Sequence, residues 1–458
     1  MAPQSPFLTA PIGPTVLRLA APNMIAMLVT MVTLMAEAWY VSKLGTVSLA
    51  GLALAFPMMM LTMFLSAGSI GGAITGSLAQ RLGAGDRAGA EVLAFHAVLL
   101  AMVLAGLSML VFIAGGTLIY SGLGGTEAVL EQALAYSDVL FWGVISMWLA
   151  NSLAAIVRAT GHMQVAAKYL VAGSIVQIAA AGVLVLGLGP FPKLGIAGAA
   201  SGIVIGHGVA AALLLYFLMT KCVELRLRFT GIPVRLAPMG AILKVGALSS
   251  INSFCSLAAI IIITAFMTRF GVDVLAGYGV GSRLEFLIIP LIFGFGAAST
   301  ALVGVHFGAD KIKRAHQFGW TAALYAAAMC GLIGVAAALS PSVWTNLFTE
   351  FDAVRAASND YLKIAGPFYA FFGLALCLYF ASLGAGRVLW PVIAAILRVV
   401  VVLGGGLILL ETEGAGPADF FWLIAAGMVT QAIVTGLAIR FGAWTRGLDK
   451  ESDSEEQT

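Results

Sequence analysis

The sequence predicts an all-α integral membrane protein of twelve transmembrane helices in two six-helix lobes related by pseudo-symmetry. Three observations carry this. The 458 residues are 61% hydrophobic and only 10% charged, with 54 glycines, whereas soluble domains carry about 25% charged residues. The apolar residues gather into twelve runs, each long enough as a helix to cross a hydrocarbon core of about 30 Å. Passages of the first half also return in the second half at a nearly constant shift.

The runs place spans 1 to 12 at 15–41, 49–79, 92–120, 133–158, 165–189, 195–220, 243–268, 275–305, 317–343, 361–384, 389–410 and 419–445. None alternates every second residue, so barrel strands are excluded. The loops after spans 2, 4, 6 and 8 hold the bases, among them Arg81, Arg87, Lys168, Lys221, Arg226, Arg228, Arg235, Lys311, Lys313 and Arg314. The opposite loops collect Glu127, Glu131, Asp138, Glu350, Asp352, Glu411 and Glu413. Positive charge stays inside, which puts both termini in the cytoplasm of a cell inner (plasma) membrane, with membrane lipids as surroundings. The first positive side chain is Arg18 and no basic leader precedes span 1, which is expected to act as its own insertion signal.

The repeat sets the domain organisation. VSKLGTVSLAGLAL (41–54) aligns with MTRFGVDVLAGYGV (267–280) at a shift of 226 positions. GAGDRAGA (83–90) aligns with GADKIKRA (308–315), and ATGHM (159–163) with GAGRV (384–388), both at 225. Six spans per repeat give both halves one orientation, as in transporters built from parallel repeats. The expected division is an N-terminal tail (1–14), an N-lobe (15–220), a basic cytoplasmic connector (221–242), a C-lobe (243–446) and a disordered acidic tail (447–458).

Span 1 carries the most informative residue. Glu37 lies inside its apolar run, where an ionised carboxylate costs roughly 2.5–3.5 kcal/mol. Such a group is paired, protonated or facing water, and is a functional-site candidate. At 100° per residue Asn23, Thr30, Thr33 and Glu37 fall within an arc of about 80°, with Met24, Met27, Met31 and Met35 opposite. The plain reading of the methionines is packing; for Glu37 it is a neutral, hydrogen-bonded carboxyl without a role. Tyr40, Asn151, Gln177 and His207 join Glu37 as candidates for a cavity in the N-lobe. For Asn151 and Gln177 the competing reading is interhelical bonding, and for His207 a neutral imidazole bonded to a neighbouring helix. In the repeat Asn23 corresponds to Ser249 and Thr30 to Ser256, but Glu37 corresponds to Ile263. Ser253, Arg283 and Glu285 are secondary candidates in the C-lobe. Arg283 and Glu285, two residues apart on a helix, point away from one another.

Other chemistries lack support. A net charge of +3 without a basic, aromatic-interleaved stretch gives no nucleic-acid partner. The five histidines show no metal-ligand spacing, so no metal and no cofactor is expected beyond a coupling H+ or Na+. Cys222, Cys255, Cys330 and Cys377 are widely separated and imply no disulfide framework. The glycine-rich GAGDRAG and GLGPFPKLG follow no strand, and no catalytic triad is visible, so the chain does not read as an enzyme. A membrane-embedded enzyme using His207 and Glu285 is the weakest alternative.

These residues resemble the multidrug and toxic compound extrusion (MATE) transporters. MAEAWYVSKLG followed by SLAGLALAFP is similar to that family's first-span motif, with Glu37 where the family usually has Asp, and Pro22 resembles its early proline. LAQRLGAGDRAGA, RATGHMQVAAKY, VLGLGPFPKLGIAGAA, GYGVGSRLEF and SLGAGRVLWPVI resemble the family in the same order, so the likeness covers about 15–446. It implies two lobes and gradient-driven efflux of small organic substrates by alternating access. There is one departure. Where many bacterial members read LNIVLD in the fifth span, this chain has VQIAAA, with Ala181 in place of the acid. The expectation is therefore an H+-coupled antiporter of organic, cationic compounds with Glu37 as coupling residue and Pro22 as hinge. Na+ coupling is the first alternative. A lipid-linked precursor flippase is the second, disfavoured by twelve spans and no ring of cavity arginines.

Overall fold

The computed structural model of the chain describes residues 6–444; the terminal tails expected at the two ends extend beyond them. The long elements among the described residues are helices, and those long and apolar enough to cross a membrane number eleven, or twelve with one bent pair. Span 1 is Ile12–Ser42, span 2 Thr46–Gly83, span 3 Arg87–Gly122, span 5 Met163–Leu186 and span 6 Ile196–Thr220. Span 7 is Leu236–Phe270, span 8 Val272–Gly308, span 9 Ile312–Leu339, span 10 Asp352–Ala385, span 11 Leu389–Glu411 and span 12 Pro417–Arg440. Span 4 is the bent pair, Glu127–Trp142 and Val144–Ala159, broken by 51°. The break falls at Gly143, where an added Cβ would meet Val204 of span 6 at 2.3 Å, so only glycine fits there.

Two span starts differ most from the hydropathy reading. Span 7 begins at Leu236 rather than 243, because its amphipathic first turns LAPMGAILK continue the helix outside the apolar window. Span 10 begins at Asp352, where the sequence places a loop, because Asp352 in the first turn complements the helix dipole.

The described residues divide into two compact units, one of 21–247 and one that joins 6–20 to 248 onward. The opening turns of span 1 therefore pack in the second unit. There Arg314 donates to the Ala10 carbonyl at 2.6 Å and Gly13 abuts Tyr325. The opening turns of span 7 pack in the first unit, where Gly246 sits on Ile70. The connector is bound to the first unit as well. The Arg226 N–H donates to Glu91 Oε1 at 3.2 Å, and the Arg235 N–H donates to His96 Nε2 at 2.9 Å. Since the His96 Nδ1 lies 2.7 Å from the Val92 carbonyl, the ring proton belongs on Nδ1.

Within each unit helices approach through small residues, as membrane helices do where no hydrophobic force separates them from lipid. Spans 5 and 6 touch at Gly173 and Gly206, and at Ala181 and Gly202, where added Cβ atoms would meet the neighbour at 2.6–2.7 Å. The repeat reappears in side-chain detail. Thr75 donates to the carbonyls of Gly71 and Ala155, and Thr300, 225 positions later, donates to those of Gly296 and Phe380.

Span 2 holds one π-helical stretch, Phe64–Ile70. It accounts for a detail of the repeat. Gly51, before the stretch, abuts Gln132 and Ala133 as Gly277 abuts Ala357 and Ser358, which matches residue 51 to 277 at a shift of 226. Thr75, after it, matches Thr300 at 225. Span 2 has 38 residues and span 8 has 37, and a π turn is how a helix absorbs one extra residue.

A buried carboxyl and tyrosine as candidate functional site

Glu37 is 3% exposed in the last third of span 1. Its Oε1 accepts a hydrogen bond from the Tyr136 hydroxyl at 2.7 Å, while its buried Oε2 has no hydrogen-bond partner among the described residues. Tyr136, fully buried in the first segment of span 4, also lies 3.2 Å from the Met59 sulfur of span 2. The carboxyl is thus enclosed by spans 1, 2 and 4. It meets one hydroxyl, which itself touches the Met59 thioether, and no Lys or Arg forms an ion pair with it among the described residues. A charge so placed is costly, and a proton or a small cation at Oε2 removes the cost.

The other candidates spread around this pair. Thr30 and Thr33 bond back to the carbonyls of Ala26 and Val29 on their own helix. Asn23 donates to the Met163 sulfur of span 5 at 3.3 Å. Tyr40 packs on Gly182 of span 5. Gln177 sets its Cβ on Gly206, and Ala181 on Gly202, so this face of span 5 is turned to span 6. The His207 Nδ1 lies 3.0 Å from the Ile203 carbonyl of its own helix. Asn151 donates to Ser66 Oγ at 2.8 Å, tying span 4 to the π turn. Pro22, inside the helix of span 1, stands next to the point where that span passes from one unit to the other.

In the second unit Ser253 is buried, and Arg283 is exposed with its guanidinium 5.3 Å from the Phe348 ring. Glu285 accepts from the Tyr361 hydroxyl. Sequence reasoning alone missed Tyr136, Met59 and Tyr361. One signal for the tyrosines was present: Tyr136 and Tyr361 are 225 positions apart. Among the described residues no three His, Cys, Asp or Glu side chains group to hold a metal ion.

Known proteins resemble this chain throughout. Its likeness to a curated FAD transporter of Shewanella oneidensis is 26% identity over 68% of each chain. A probable multidrug resistance protein NorM of Deinococcus radiodurans is 25% identical over 91% of this chain and 90% of its own. Solved structures share the fold. A multidrug resistance MATE family transporter in an outward-facing conformation superposes with a TM-score of 0.88 at 22% identity, covering 96% of this chain and 98% of that one. A MOP superfamily transporter from Pyrococcus furiosus gives 0.89 at 22% identity over 97% and 99%. The MatE family model matches residues 22–182 and 249–407, one stretch in each half, and the chain therefore belongs to the MATE family: it is a multi-pass membrane transporter and not an enzyme.

Proposed function

We propose that this protein exports small organic compounds, cationic ones foremost, in exchange for protons taken up at Glu37, with both termini in the cytoplasm. The observation that carries the reading is the buried Glu37 carboxyl, with one oxygen held by Tyr136 and the other without a partner among the described residues. Proton binding at Oε2 neutralises the group, and proton loss restores a charge that the surrounding apolar side chains do not solvate. The two states favour different packing of span 1 against spans 2 and 4, with Pro22 as the place where the helix gives. Proline removes the hydrogen bond to the carbonyl four residues earlier, that of Arg18, and so weakens the helix there. A ligand that binds one packing better shifts the population towards it, which is the basis of alternating access. The membrane potential supplies about 2.3 kcal/mol per charge per 100 mV. The lone acid and the flexible methionines of span 1 suit cationic amphiphiles.

The test is efflux from vesicles with pH and sodium gradients imposed separately, using a panel that contains a cationic dye and a flavin nucleotide. Export of the dye should follow the pH gradient without sodium, and Glu37→Gln should abolish it while the protein still inserts. Export that needs sodium and ignores the pH gradient replaces the proton by Na+. Undiminished efflux by Glu37→Gln removes Glu37 from the mechanism.

A further inference from the structure

The connector is held along its length by backbone hydrogen bonds, and the one next to span 7 ends on a histidine. After span 6 the chain turns back, and the Leu227 N–H donates to the Leu218 carbonyl at 3.1 Å. Leu225 and Leu227 are buried while Arg226 and Arg228 between and after them are exposed, so the stretch lies as an extended strap with one side on the protein. Phe229 then packs on Phe95 of span 3, with ring centroids 6.2 Å apart. Beside Phe95 is His96, fully buried. Its Nε2 accepts the Arg235 N–H, the last amide before span 7 becomes helical at Leu236, and its Nδ1 serves the Val92 carbonyl. Both ring nitrogens are thus engaged by the neutral imidazole. The residue 225 positions later, in span 9, is Thr321, so the histidine belongs to the repeat that carries the connector.

Protonation would break this arrangement in two ways. It places a hydrogen on Nε2, which then meets the Arg235 N–H donor to donor. It also creates a buried charge, and no carboxylate lies within ion-pair distance of the ring among the described residues. The charged groups of the surrounding elements are mostly bases. Arg226, Arg228 and Arg235 stand on the connector, Lys244 on span 7, and Arg158 at the end of span 4. The acids Asp86 and Glu91 at the start of span 3 are engaged with Arg81 and Arg87. At the other end of the strap His162 lies 3.6 Å from Glu224, a contact that protonation strengthens. Acid therefore loosens the end next to span 7 and keeps the end next to span 6.

We infer that His96 is a pH-sensitive latch: neutral, it pins the junction of connector and span 7 to span 3, and protonated, it releases that junction. His96 acts through the Arg235 amide and is a positioning residue. The inference concerns the first unit alone and does not depend on the exchange proposed for Glu37.

Hydrogen exchange of the full-length protein in lipid nanodiscs, where both faces meet the buffer, reads the junction through peptides containing the Arg235 amide. Corrected for the intrinsic effect of pH on amide exchange, a change from about pH 7.5 to about 5.5 should speed exchange there about tenfold. The Leu227 amide, whose carbonyl acceptor does not titrate, should stay protected. His96→Gln places an amide oxygen where Nε2 stood and should keep the junction protected at both values, while His96→Phe should leave it fast at both. Glu37→Gln should behave as the wild type does, which separates the latch from the coupling residue. Equal wild-type protection at the two values overturns the inference, and so does acid release that persists in His96→Gln or disappears in Glu37→Gln. If His96→Phe does not fold, the wild type and His96→Gln still decide.

Discussion

Glu37 and Tyr136 meet across 99 positions of chain, and they were unequally visible beforehand. An acid inside an apolar run stands out because its burial carries an energetic cost, so Glu37 was found at once. A tyrosine in a span half rich in polar residues reads as packing or as an interface anchor. The first segment of span 4, before the bend at Gly143, carries its hydroxyl to the carboxyl. The threonines chosen from the helical wheel satisfy themselves on their own helix, an outcome that angular position alone does not reveal. At the membrane surface Asp86 caps span 3 by accepting from the Gly89 N–H at 2.8 Å. That bond first, and the bond from Arg81 second, hold its carboxyl below the usual value of 3.8. A lowered carboxyl contributes stability that is complete above the unfolded value and lost as pH falls through the folded one. Asp86→Ala should therefore lower stability by about 0.5–2 kcal/mol near neutral pH, as loss of an N-cap does. Thermal midpoints of the two proteins in detergent should converge as the pH drops below about 4, and a difference that persists in acid would show that the cap is not what was lost.

The helices themselves were the most legible level. Their number and order follow from apolar run length, because a backbone in lipid must satisfy its own hydrogen bonds and so stays helical. What composition does not carry is local irregularity. The bend at Gly143 arises from a close neighbour on span 6, and the π turn from a length mismatch that only the change from 226 to 225 betrays. Gly68 lies within that turn, and an added Cβ there would meet nothing within 4 Å. Gly68→Ala should therefore be tolerated, whereas deletion of Gly68 should straighten the turn into α-helix. Everything beyond it would rotate by about 100° relative to what precedes it, turning Thr75 away from the Ala155 carbonyl. The expected readout is a lower thermal midpoint and loss of efflux for the deletion, with the alanine variant near wild type. Equal behaviour of the two would remove the register argument.

At the scale of the molecule, the repeat was readable, but the exchange of helix turns was not. Hydropathy places the division in the connector. The packing places it inside spans 1 and 7, after Ala20 and after Ala247. Each half of the chain therefore carries turns that belong to the other half's unit, a relation between distant residues that no local pattern encodes. A protease site inserted at the exposed Gly231 should be cleaved readily, since loop tips are where nicking is tolerated. The two fragments should then purify together, while either half expressed alone should fail to give a stable product. Stable, separately purified halves would contradict the exchanged turns.

The extra residue of span 2 has a consequence for how two copies of one sequence come to differ. Two copies in strict register would offer the same tyrosine the same neighbours, and any ion bound by one would be bound equally by the other. An insertion of one residue is the smallest event that breaks this symmetry, since it re-aims half a helix without adding or removing a span. With Asn151 bonded into the turn at Ser66, span 4 of the first unit is fastened to the one place where the copies fall out of step. The first copy bonds an acid of span 1 to its tyrosine, and the second bonds an acid of span 8 to the counterpart tyrosine. One extra residue thus lets two copies of one sequence present the same tyrosine to acids from different helices.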